Sequence, residues 1–190
     1  MKKKLEDMVV EHIRTQADLG DIIELLEFGI EQTPRICEAV VEREPFLFVY
    51  IENQTPELCI NALRRCNEAD IENIFLNVKV RTPEVCMEAV KRDCFVVFHI
   101  ENPSDELWFT AIEEEPDILA DVIYPPYNKG YDFCLEAVKR NPKALKYIDN
   151  PYMRREIKKD LKQGLSDKIS SAEKRIKKEK INKTKISNAR

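Results

Sequence analysis

Apolar residues along the chain fall into short helical groups separated by polar joints, and one grouping recurs. In residues 81–102, RTPEVCMEAVKRDCFVVFHIEN, Val85, Cys86, Ala89 and Val90 stand at i, i+1, i+4 and i+5. They draw one apolar stripe down about three helical turns. Thr82 is placed to cap that helix with its hydroxyl oxygen, and Pro83, which has no amide hydrogen to lose, suits the first position. Lys91 and Arg92 close it, where cations favour the carboxyl end of the helix dipole. Asp93 is then placed to cap a second helix carrying Phe95, Val96, Val97, Phe98 and Ile100, so the predicted unit is a short helical hairpin.

With the cysteine as anchor, copies of this unit open at Thr33, Thr55, Thr82, Ser104 and Gly130, and their anchors are Cys37, Cys59, Cys86, Trp108 and Cys134. Three residues after the anchor comes Val40, Ala62, Ala89, Ala111 or Ala137; eight after comes Pro45, Asn67, Cys94, Pro116 or Pro142. A fixed period with one helical hairpin per copy predicts an all-α fold, a short α-solenoid in which no unit buries its apolar face alone. The starts are spaced by 22, 27, 22 and 26 residues. Every second copy therefore carries four or five extra residues, around NVKVR (77–81) and PPYNK (125–129). Such extensions emerge on one edge of a stack, where they either form a binding face or only adjust the stacking angle.

The phrases QTPELCINAL (54–63), RTPEVCMEAVKRD (81–93) and FCLEAVKRNPKALKYIDN (133–150) resemble the DUF4116 repeat family over residues 32–151. Trp108 stands where the other copies have cysteine. The resemblance implies tandem helical repeats of unassigned function, with no established catalytic residues. Members occur in bacteria and giant viruses, which implies a viral or bacterial protein binding a host protein.

Before the repeats, Leu5, Met8, Val9, His12 and Ile13 make one helical stripe, and Leu19, Ile22, Ile23, Leu25 and Leu26 make another. Residues 1–32 are thus expected to form capping helices, 33–151 the five repeats, and 152–190 a basic helix running into a flexible tail. Charges interrupt the opening residues every few positions, so neither a signal peptide nor a membrane span is expected there.

Six cysteines without a secretory signal or a Cys-x-x-Cys pair suggest free thiols in a reducing compartment, the cytoplasm, or the host-cell cytoplasm for a viral protein. The anchors sit on the apolar stripe, where a small hydrophobe packs helix on helix; a ladder of metal-binding thiolates is the alternative. His99 corresponds to Tyr50, Asp121 and Tyr147 in other copies and is expected at the surface, with no partnering acid evident. Glu113 and Glu114 read as a solvated helix end and Glu115 as the residue before Pro116 that closes it. Phosphate loops, serine elbows and metalloprotease patterns are lacking. No catalytic residue, metal ligand or cofactor is therefore expected.

Two groups of residues remain as candidates for contact. Tyr124, Tyr127 and Tyr131, with Lys129, surround Pro125 and Pro126 and combine apolar area with polar tips, a composition suited to recognition and equally to a rigid loop. The other group is basic: Lys174, Arg175, Lys177, Lys178 and Lys180. Residues 152–190 hold 14 Lys and Arg against 5 Asp and Glu, a net of +9, while residues 1–151 hold 17 against 30, a net of −13. Two functions follow. A non-enzymatic scaffold would bind a protein partner through an extended helical-repeat surface. Alternatively, a nucleic-acid-associated protein would make non-specific phosphate contacts through the lysine-rich tail. No membrane partner is expected.

Overall fold

The structure is a computed structural model that describes residues 2–187, with side chains at 3–167 and 169–174. Among the described residues it is all-helical, without strands. The chain divides into two compact units, Met1–Glu115 and Pro116–Arg190. The division falls inside the fourth sequence copy, between its two helical segments.

The first unit opens with α1 (Lys2–Thr15) and α2 (Leu19–Glu24), the latter running on into a π-helical turn at Leu25–Gly29. It continues through α3 (Pro34–Arg43), a 3-10 helix (Pro45–Tyr50), α4 (Pro56–Arg65), a 3-10 turn (Glu68–Asp70) leading into α5 (Ile71–Leu76), α6 (Pro83–Arg92), a 3-10 helix (Cys94–His99) and α7 (Asp105–Glu114). The second unit holds α8 (Ile118–Ile123), α9 (Tyr131–Arg140), a 3-10 helix (Pro142–Tyr147) and α10 (Pro151–Ser187).

The five first helices of the sequence copies, α3, α4, α6, α7 and α9, are each ten residues long. Their starts have one cause. The hydroxyls of Thr33, Thr55, Thr82 and Ser104 accept from the amides of Ile36, Leu58, Val85 and Leu107, and proline occupies the first position in three of them. Gly130 holds the same cap position before α9 without a side chain to offer. All five stop where the amide of the capping residue returns to the carbonyl of the small residue three beyond the anchor, as Asp93 does to Ala89. The anchors Cys37, Cys59, Cys86, Trp108 and Cys134 are buried, as are Val40, Ala62, Ala89, Ala111 and Ala137 one turn later. In the first unit α3 packs on α1 and α4, α4 on α6, and α6 on α7; in the second, α9 packs on α8 and α10.

The second half of each copy alternates in kind. After α3, α6 and α9 it is a six-residue 3-10 helix, and in the copies of α4 and α7 it is a six-residue α-helix, α5 or α8. Only eleven residues separate α3 from Thr55 and α6 from Ser104, against sixteen between α4 and Thr82. A 3-10 helix rises about 2.0 Å per residue against 1.5 Å for an α-helix, so it spans the return in fewer residues. The expected second helix of each copy is thus present in two forms, 3-10 and α.

The face of α1 also differs from the expectation. Val10, Ile13 and Ala17 point into the core, while Leu5 and Met8 are exposed. Polar contacts with α3 accompany this rotation: Arg35 pairs with Asp7 at 2.7 Å and Glu6 at 3.3 Å, and the Thr33 hydroxyl donates to Glu6 at 2.5 Å. Leu19, expected on the second stripe, is exposed as well, and Ile22 and Leu26 carry the packing.

Candidate functional site: exposed apolar and basic surfaces

A clasp that the sequence did not signal holds successive copies together. The residue before each threonine cap reaches across to the far end of its own copy. Gln32 donates to the carbonyls of Leu26 and Tyr50 and accepts from the amide of Glu52. Gln54 donates to the carbonyls of Ile51 and Asn77 and accepts from the amide of Lys79. Arg81 donates to Phe75, Val78 and His99 carbonyls while its guanidinium lies over the Phe75 ring at 4.6 Å. The NVKVR extension is thereby anchored at both ends by side-chain bonds to backbone. Backbone groups of Asn77, Val78 and Lys79 are thus bonded within the unit.

The tyrosine loop is pinned in the same way within the second unit. The amides of Tyr127 and Asn128 return to the Tyr124 carbonyl, Lys129 N–H donates to Val122, and the Pro125–Pro126 bond is cis. Asn128 takes a positive φ of 49°, a conformation asparagine tolerates better than most residues. The Tyr124 hydroxyl donates to Asp149 at 3.4 Å, and the Tyr131 hydroxyl donates to Asp160 on α10 at 2.8 Å. Burial, together with that carboxylate, pushes the Tyr131 phenol up to about 12. The Lys129 ammonium stands 5.2 Å from the Phe133 ring centre. The tyrosines thus brace different elements, and Tyr124 alone among them is an exposed large ring.

Of the basic candidates, Lys174 is exposed on α10, and Arg175, Lys177, Lys178 and Lys180 lie outside the described side chains. The described part of α10 carries a basic face that the tail count obscured. Arg155, Lys158, Lys159 and Lys162 fall at i, i+3, i+4 and i+7 and are all exposed. Beside them Leu165 and Ile169 are 61% and 51% exposed.

The thiols show no sign of chemistry. All anchor cysteines are free and buried. Burial pushes Cys37, Cys59 and Cys134 up to about 11, and raises Cys86. Cys94, half-buried beside Asp93, is raised to about 11 too. Among the described residues no cluster of three potential metal ligands occurs. His99 does find an acid, Glu72, at 2.8 Å. Both side chains are well exposed, as in an ordinary surface pair.

The most contact-like surface is at α1 and α2. A cleft of about 590 Å³ is lined by Leu5, Met8, Val9, His12 and Leu25, and an adjoining one of about 390 Å³ by His12, Leu25 and Phe28. Met8 is 61% exposed and Phe28 82%. Asp7, Glu11, Asp21 and Glu24 line the same two clefts, against one lysine, Lys4. The signal for this surface was present in the sequence as the stripe of Leu5, Met8, Val9 and His12, read there as part of a capping helix.

No protein-family model, curated protein or solved structure matches the chain. No described helix is long and apolar enough to cross a membrane.

Proposed function

We propose that the chain is a non-enzymatic protein-interaction module, built as a short stack of DUF4116-like helical repeats, whose binding surface is the apolar cleft between α1 and α2. The observation that carries this reading is Phe28, a whole aromatic ring at 82% exposure in an acid-rimmed cleft that shares His12 and Leu25 with the adjoining cleft lined by Met8 and Leu5. Isolated exposed apolar residues are ordinary, but a contiguous concave group marks a contact site. Aromatic side chains in such positions commonly supply most of an interface's free energy. The threonine-capped ten-residue helices and their buried anchors support the repeat reading, and the free thiols suit a cytoplasmic protein.

The test is affinity capture from the source cells by the full chain, with Phe28→Asp as the comparison. A partner held by the wild type should be lost about tenfold or more in the variant, the scale expected for a central aromatic contact. A partner set unchanged by Phe28→Asp contradicts the assignment.

The basic face of α10 favours a second reading, phosphate contact with nucleic acid. Binding of this kind weakens steeply with salt, with a log–log slope of about −0.9 per phosphate contacted on duplex DNA. Charge reversal at Lys158, Lys159 and Lys162 should flatten that slope. Absence of binding by the wild type at physiological salt eliminates this reading.

A further inference from the structure

We propose that the occupant of the α1/α2 cleft is α10 of a second copy of this chain, so that copies associate head to tail; this rests on the reading of the cleft as a protein-binding surface. The two surfaces match in length. Along α1 the apolar lining runs from Leu5 to His12, seven residues or about 10 Å of helix. Along α10, Leu165, Ile169 and Ala172 are exposed at i, i+4 and i+7, again about 10 Å. An amphipathic helix laid in an apolar groove through residues at this spacing is a recurrent recognition mode.

Their charges are opposite. Glu11 and Glu24 stand exposed at the cleft with Asp21, and Asp7 beside them is already paired with Arg35. On α10, Lys158, Lys159 and Lys162 precede the apolar stripe and Lys174 follows it, with one acid, Glu173, lining the same surface as Leu165 and Ile169. Over the whole sequence the contrast is −13 for residues 1–151 against +9 for 152–190. A two-fold pairing of cleft on cleft would set acid against acid, and a pairing of α10 on α10 would set lysine against lysine. Cleft against α10 brings unlike charges together, and repeated head to tail this contact leaves a free cleft at one end of the assembly and a free helix at the other, able to add further copies.

The experiment is sedimentation velocity on three full-length proteins: the wild type, a cleft variant (Met8→Glu, Phe28→Asp) and a helix variant (Leu165→Glu, Ile169→Glu). All four positions are at least half exposed, and circular dichroism checks that each variant keeps its helix content. The wild type should grow beyond the monomer between about 1 and 200 µM, a range set by micromolar affinity, and should do so less at high salt because exposed charges are screened. Each variant alone should remain monomeric. Their equimolar mixture should form a one-to-one dimer that grows no further, since one variant supplies the only intact helix and the other the only intact cleft. A wild type that stays monomeric throughout, association that persists in either variant, or a mixture without a dimer overturns the proposal. If the wild type is monomeric but still holds another protein through Phe28, self-association falls and the protein-binding reading of the cleft stands.

Discussion

The anchor cysteines act as small apolar side chains, and their thiols are held protonated by burial. A buried thiol whose pKa lies near 11 instead of 9.0 binds a proton that the unfolded chain has already released between those values. The folded state then holds more protons, so stability is fully present below about pH 9 and declines as pH rises toward 11, by about 1.4 kcal/mol per pH unit for each such thiol. Urea denaturation under reducing conditions at pH 8, 9.5 and 10.5 should show this decline, and a Cys59→Ala/Cys134→Ala variant should lose stability less steeply. Equal slopes would remove the thiols from the account. Native alkylation gives a second check: Cys94, half-buried, should react before Cys37, Cys59, Cys86 or Cys134. The anchors were legible because a repeated position with one side-chain character reports a shared environment. The clasp residues Gln32, Gln54 and Arg81 were not, since their types differ and their partners are backbone groups 18 to 25 residues away. Gln54→Ala removes bonds to Ile51, Asn77 and Lys79 backbone groups and should cost about 1–3 kcal/mol in thermal or denaturant unfolding, the cost of leaving such groups unsatisfied.

At the scale of elements, the first helix of every copy is a local consequence of its sequence and the second is a consequence of length. Threonine and proline fix where α3, α4 and α6 begin, so Thr82→Ala should lower stability by about 1 kcal/mol, while Thr82→Ser should be nearly neutral. An effect of the same size from serine would mean that the methyl group, not the cap, matters. The 3-10 helices were read as ordinary helices because apolar spacing over six residues does not separate the two forms. The distance available between fixed ends decides between them. Trp108, the sole tryptophan, replaces a cysteine anchor without changing the helix length, and Phe98 packs against it edge-on with ring centres 5.4 Å apart. Trp108→Ala should cost about 3–5 kcal/mol, whereas the wild-type protein should show the blue-shifted emission of a fully buried indole. Red-shifted emission in the native state would contradict this burial. The rotation of α1 was illegible for a different reason. Both Leu5–Met8 and Val10–Ile13–Ala17 satisfy helical spacing, and the burial of the second group against the rest of the unit, with pairs from Asp7 and Glu6 to Arg35 at its edge, joins residues far apart in sequence.

For the molecule as a whole, charge separation along the sequence sets acid in one region and lysine in another; exposed apolar side chains occur singly at Phe46, Leu76, Phe95 and Tyr124 and in groups at α1 to α2 and on α10. The sequence pointed instead to the tyrosine loop and to the last basic run. Tyr124 and Tyr131 spend their hydroxyls on Asp149 and Asp160, and the described basic face begins earlier, at Arg155. The central claim is that binding is seated in the α1/α2 cleft. Its most direct measurement is a crosslink map with a photoreactive amino acid placed singly at positions 28, 124 and 159 of the full-length chain, with each adduct identified by mass spectrometry. The account expects adducts from position 28, suppressed by Met8→Glu, and few from position 124; adducts concentrated at 124 or 159 with none at 28 would contradict it.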